Sequence, residues 1–99
     1  MVKHIILWTL KDMPETQAAT VKANIKEHLE ALVGKVPGLL EVNVHIDKLD
    51  SSNVDVMLDS SLESEEALKG YAVHPDHVAV ADTYVRPYTA SRACLDFTL

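Results

Sequence analysis

Tyr71 and His77 are the residues of this chain best suited to carry chemistry. An imidazole with an ordinary pKa of ~6.5 serves as a general base near neutral pH, and a phenol is a good hydrogen-bond donor to a developing oxyanion. The two lie six positions apart, so a continuous helix would set them ~120° from each other. His74-Pro75 stands between them. A residue before proline avoids the α region, so the helix is expected to break there and restart at Pro75, and the bend would let both side chains converge on one hollow. His77 then lies beside Ala81 and Tyr84, at the border of the core-facing stripe. On residue types alone the structural account is the stronger one: His74 caps the restarted helix, His77 bonds back across the break, and the segment is a hinge.

His4 and Trp8 share one face of the first strand with Ile6 and are candidate substrate contacts in the same cavity, as is His74 at the bend. A histidine at the edge of an apolar strand also has a plain structural reading. No metal site is assigned. Of the five histidines (His4, His28, His45, His74 and His77) only the last two are close in sequence, and His-x-x-His around a proline lacks the spacing and further donors that a metal pair requires. Cys94 has only Arg92 as a basic neighbour and reads as an inert thiol, while Arg92 is expected to pair with an acidic neighbour at the dimer or strand edge. With Gly34, Gly38 and Gly70 as the only glycines, the chain has no phosphate loop, dinucleotide fingerprint or nucleophile elbow. No cofactor is expected.

Six elements must position these groups. Val2 to Leu10 reads as a strand, apolar on both faces at its middle (Ile6 and Trp8 against Ile5 and Leu7) and closed by Pro14. From Glu15 to Val33 the period is helical, with Ala18, Val21, Ile25, Leu29 and Leu32 on one stripe, Gly34 as cap and Pro37-Gly38 as turn. Leu40, Val42, Val44 and Ile46 alternate with polar residues as a second strand. Asp50-Ser51-Ser52-Asn53 is a loop, and Val54, Val56 and Leu58 form a third strand, giving a hairpin. Ser64 caps a helix over about Glu65 to Ala72, which restarts at Pro75 with Val78, Ala81 and Val85 on one stripe. Ala93, Leu95, Phe97 and Leu99 alternate as the last strand.

The order β-α-β-β-α-β predicts an α+β, ferredoxin-like fold, an antiparallel four-stranded sheet with both helices on one face. Two helices leave the other face open, yet the first strand is apolar on both sides. An isologous homodimer with sheets packed face to face is the economical solution.

Composition narrows the function further. The chain has 99 residues, the length of one domain, with 47% hydrophobic and 24% charged residues. Nine Lys and Arg against 15 Asp and Glu leave a net charge of −6, which argues against nucleic-acid and anionic-membrane partners. One cysteine allows no internal disulfide, and Ile5 to Trp8 is far too short to span a bilayer, so a soluble, reduced, cytoplasmic protein is expected.

Several segments together resemble the stress-responsive A/B barrel domain (Dabb) family. They are the opening Met1-Val2-Lys3-His4-Ile5-Ile6-Leu7-Trp8, the turn Val36-Pro37-Gly38, the run from Leu62 to Leu68, the block Tyr71-Ala72-Val73-His74-Pro75-Asp76-His77-Val78, and the closing Ser91-Arg92 and Asp96-Phe97. The Tyr-x-x-His-Pro-x-His segment is the most specific of these. The resemblance implies a single Dabb domain over residues 1–99 and a dimeric α+β barrel. It also brings in olivetolic acid cyclase, a plant polyketide cyclase in which the matching Tyr and His promote an intramolecular aldol closure. Carried over, His77 would abstract a proton α to a carbonyl, and Tyr71 would hold the substrate or stabilise its enolate. In the third strand, where that cyclase has a histidine, this chain has Val56 with Asp55 beside it, so a polyketide substrate is not implied. Some relatives hold an ion on backbone carbonyls near the end of the first helix, here around Leu32 to Leu39, but no side-chain signature marks it.

The expectation is thus a homodimer with a small hydrophobic pocket, acting as a cofactor-free lyase or cyclase on a carbonyl compound. The alternatives are a non-catalytic stress-associated binding or structural dimer, and a cofactor-free monooxygenase or haem-binding relative of the same architecture.

Overall fold

A computed structural model describes residues 1–99. Strand β1 spans Val2–Leu10, helix α1 Glu15–Glu30, β2 Leu39–His45, β3 Val56–Leu62, α2 Glu65–Val73, α3 Pro75–Val80 and β4 Thr89–Thr98. A wide turn of π type at Ala81–Val85 and a tight turn at Arg86–Tyr88 join α3 to β4. The strands form one antiparallel sheet in the order β2-β3-β1-β4, and the fold is ferredoxin-like.

Strand alternation sorts the sheet into two faces. Val2, His4, Ile6 and Trp8 of β1 are buried beneath the helices with Val56, Leu58, Ser60 and Leu62 of β3 and Val42 and Val44 of β2. Val21, Ile25 and Leu29 of α1 complete this core, joined by Leu32 and Val36 from the segment that follows the helix. Ser60 satisfies its buried hydroxyl by donating to the His4 carbonyl at 2.9 Å. On the opposite face, Ile5 pairs with Leu95, Leu7 with Ala93 and with Met57, and Lys3 with Phe97. Leu95 is 62% and Phe97 40% exposed there, so the apolar face of β4 is turned away from the helices.

Several boundaries differ from the sequence reading. α1 ends at Glu30 rather than Val33, although Leu32 still packs as a core residue. In β2 the register shifts between Leu39 and Glu41, so Leu39 is buried and Leu40 points outward, breaking the expected Leu40-Val42-Val44 face. β3 starts later than expected and runs on through Ser60 and Ser61, whose small hydroxyls disguised a buried strand. β4 begins four residues before Ala93, at Thr89. Gly38 has φ +78°, and a Cβ there would lie 2.6 Å from Cβ of Ala67, so only glycine lets this turn press against α2.

Candidate functional site

The helix break forms as the sequence dictates. Ser64 accepts the Ala67 N–H at 3.1 Å to open α2. His74 takes an extended conformation (φ −63°, ψ 132°) before Pro75, and its Nδ1 accepts the Asp76 N–H at 3.1 Å to cap α3. This bend brings the Tyr71 and His77 rings to 4.1 Å between centroids, inclined at 38°. Edge-on to Tyr71, at 6.0 Å and 73°, stands the ring of His4. Tyr71, His77, His4 and Trp8 all border one cavity of about 340 Å³ between the helices and the sheet, closed by apolar side chains such as Ile6, Leu58 and Leu68.

His74 does not join them. Its ring is spent on the α3 cap and borders a shallow surface groove beside Gly38 and Ala67 instead, so it sets the bend rather than facing the cavity.

Two buried polar atoms in this cavity lack partners: the Tyr71 hydroxyl and His77 Nδ1. Tyr71 is 1% exposed, and burial pushes its phenol up to about 12, so it stays protonated as a donor without an acceptor. Burial also lowers the His77 pKa. The Ala72 backbone opposes that shift, while the positive charges of Arg86 and Arg92 add to it. At neutral pH His77 is therefore a neutral imidazole, with one ring nitrogen able to accept a proton. A buried unpaired polar group costs roughly 1–3 kcal/mol. Two such groups in one hollow are an arrangement that a ligand oxygen or a C–H acid would relieve.

One side of the cavity escaped sequence reasoning. Trp8 pairs with Arg92, Ile6 with Cys94 and His4 with Asp96, so the polar positions of β4 face the helices. Arg92 makes no ion pair within the chain; it borders the cavity together with Arg86 and Thr89. Asp96 grips His4 Nδ1, and the Cys94 sulfur lies 3.9 Å from the same nitrogen. These three groups (His4 Nδ1, Cys94 Sγ and an Asp96 oxygen) lie within 4.8 Å of one another and are the cluster able to hold a metal. Burial, then Asp96, raises the Cys94 pKa, in keeping with a poor nucleophile. The alternation of Arg92, Cys94 and Asp96 against Ala93, Leu95 and Phe97 was the available signal, and pairing β4 antiparallel to β1 would have put the polar set beside His4.

A family model described as Stress responsive A/B Barrel Domain matches residues 2–99. The chain belongs to this family. A dimeric protein of unknown function with a ferredoxin-like fold from Bacteroides fragilis is 31% identical, over 99% of this chain and 95% of that one, with a TM-score of 0.92. A hydroxynitrile lyase from Passiflora edulis superposes with a TM-score of 0.72 at 16% identity, covering 97% of this Dabb chain and 90% of the lyase. A cofactor-independent oxygenase from Streptomyces nogalater reaches 0.75 at 13% identity, covering 99% and 91%. At these last two identities the likeness is one of fold. No curated protein sequence matches significantly. No helix of this Dabb protein is long and apolar enough to cross a membrane.

Proposed function

We propose that this Dabb protein is a cofactor-independent lyase or cyclase that binds a small, largely apolar carbonyl compound in the cavity beneath α2 and α3. One observation carries the reading: a phenol and an imidazole, each with a buried unpaired polar atom, stand with ring centroids 4.1 Å apart in a hollow lined mostly by apolar side chains. His77 takes a proton from the carbon α to the substrate carbonyl. Tyr71 donates its O–H to the carbonyl oxygen, and that hydrogen bond strengthens as enolate charge develops. His4 and Trp8 shape the far wall, and the apolar lining selects a hydrophobic substrate. The enolate carbon then adds to a second carbonyl carbon, and the alkoxide formed there takes back the proton held by His77, which closes a ring. In the reverse direction His77 removes that hydroxyl proton, the carbon–carbon bond breaks to a carbonyl and an enolate, and the enolate carbon is reprotonated.

The functional unit is a homodimer. Ile5, Leu7, Met57, Ala93, Leu95 and Phe97 make a contiguous apolar surface on the open face of the sheet, and a second copy turned by a twofold axis covers it. The 31%-identical relative is described as dimeric. Leu95→Glu is expected to yield a folded monomer in sedimentation analysis; an unchanged dimer would place the interface elsewhere.

The chemistry is tested with aliphatic and aryl 1,3-diketones in deuterated water, following loss of the α-proton signal by NMR. Wild type should accelerate exchange, His77→Ala should abolish the acceleration, and Tyr71→Phe should slow it. Exchange that persists in His77→Ala would refute this assignment of the base.

A further inference from the structure

A second constellation sits at the sheet edge next to the cavity. His4 and Asp96 are direct cross-strand partners, and Cys94 precedes Asp96 by two residues, so all three side chains leave the sheet on its helix-covered face. The Cys94 sulfur is 3.9 Å from His4 Nδ1 and 3.5 Å from Asp96 Oδ1, and the nitrogen and oxygen are in direct contact. A tetrahedral ion with bonds of ~2.0–2.3 Å holds its ligand atoms roughly 3.3–3.8 Å apart. Both sulfur separations are close to that spacing. Only the His4–Asp96 pair must open, and Asp96, with a side chain 42% exposed on an edge strand, is free to swing.

The donor set selects the metal. Imidazole, thiolate and carboxylate together suit zinc(II), whereas magnesium and calcium favour oxygen ligands alone. Thiolate and carboxylate also neutralise the double positive charge, and the thiol proton leaves to solvent as the ion enters. Glu65, Lys69 and Arg92 line the same groove, one acid against two cations, so the surroundings do not supply a surplus of negative charge that would attract any divalent ion. We propose that His4, Cys94 and Asp96 form a three-ligand zinc(II) site whose fourth position is open to the groove. Three protein ligands leave the fourth position of a tetrahedral ion to water or a small ligand. His4 borders both the groove and the cavity, so the ion sits against the wall that carries the Tyr71 ring. The site does not depend on the lyase or cyclase reading.

The test uses the full, metal-stripped chain titrated with cobalt(II) and then zinc(II). One cobalt per chain is expected, with a near-ultraviolet thiolate-to-metal charge-transfer band and intense visible bands of four-coordinate cobalt, both bleached by one equivalent of zinc. Cys94→Ser should remove the charge-transfer band. Calorimetry should show zinc affinity falling in Cys94→Ser and in Asp96→Asn by at least the ~10–100-fold that loss of an outer-shell partner costs. Both residues are solvent-exposed, and circular dichroism checks that both variants fold. His45→Gln and His77→Ala should bind zinc as wild type does, which separates this site from the proposed base. A cobalt spectrum without thiolate absorption, or zinc affinity unchanged in either ligand variant, overturns the proposal.

Discussion

The two halves of the helical layer are built differently. α1 runs unbroken for 16 residues and buries Val21, Ile25 and Leu29 against the sheet, in a tightly shared core. The second half is cut into α2, α3 and two short turns. α2 buries Tyr71 alone, α3 buries nothing fully, and Ala81 and Val85 of the π-type turn are the next anchors. Beneath α1 the polar groups find partners. Beneath the broken half a cavity remains, and two buried polar atoms are left unpaired. An uninterrupted apolar stripe fills space, whereas a stripe interrupted by proline and a wide turn leaves space and lines it with the residues at the interruption. Close apolar packing is thus concentrated on one side of the layer, and unpaired buried polar groups on the other.

The sharpest way to break that contrast is to cut each half in turn. Ile25→Ala, at a fully buried position of α1, is expected to cost ~2–5 kcal/mol, measured by urea denaturation. His77→Ala in the other half should lower turnover of a cognate substrate by ~10²–10⁴-fold while leaving the denaturation midpoint nearly in place. If His77→Ala instead unfolds the protein as readily as Ile25→Ala does, the broken half is a structural hinge and the contrast fails.

Tyr71→Phe sharpens the comparison at a single atom. The hydroxyl has no partner, so its removal relieves an unsatisfied buried group and should leave stability unchanged or raised by up to ~1 kcal/mol. Ligand affinity or exchange rate should fall in the same variant. A loss of stability beyond ~1 kcal/mol would mean that the hydroxyl is already satisfied in the free protein and is not waiting for a ligand.

The sequence made the fold legible because its strongest signals were local. Pro14 and Pro37-Gly38 punctuate, the stripe of α1 has an unambiguous period, and Ser64 and Pro75 fix the ends of the second helix. The candidate site is legible where it is local too: Tyr71 and His77 flank one helix break, and His4 and Trp8 share a strand. What escaped was cross-strand. Asp96 and Cys94 are some 90 residues from His4, and only the β1–β4 register brings them together. Residue type places His74 at the cavity, whereas its ring caps α3 instead. β3 was cut short because Ser60 and Ser61 read as polar, while their hydroxyls are satisfied within the sheet, by donation to the His4 carbonyl and by the Lys3 ammonium.

pH separates the halves as well. Burial lowers the His77 pKa, so the folded state prefers the neutral ring. Below the unfolded value of ~6.5 the unfolded chain binds the proton first, and stability drops as pH falls, levelling once the pH is below the folded value. His77→Gln should flatten that part of the stability profile between pH 7 and the acidic limit. An unchanged slope would assign the proton uptake to another histidine.

The smallest expected effect lies at the outer edge of the α1 half. β2 is an edge strand, and at Val44 the exposed backbone is covered by α1: Glu30 accepts the Val44 N–H at 3.0 Å, and Lys26 donates to the Val44 carbonyl at 2.8 Å and to Glu30 at 2.8 Å. Burial opposes ionisation of Glu30, but the Lys26 hydrogen bond and the Val44 N–H outweigh it and hold the carboxyl below its ordinary range. Its contribution is therefore present above pH ~4.5 and fades as pH falls through the lowered folded value. Glu30→Gln keeps the acceptor and removes the charge, so it should cost less than ~1 kcal/mol near neutral pH, shrinking further in high salt. Glu30→Ala also strips the Val44 N–H and should cost more than the Gln variant. Equal losses would mean that charge, not the covering of an open strand edge, is what ties α1 to β2.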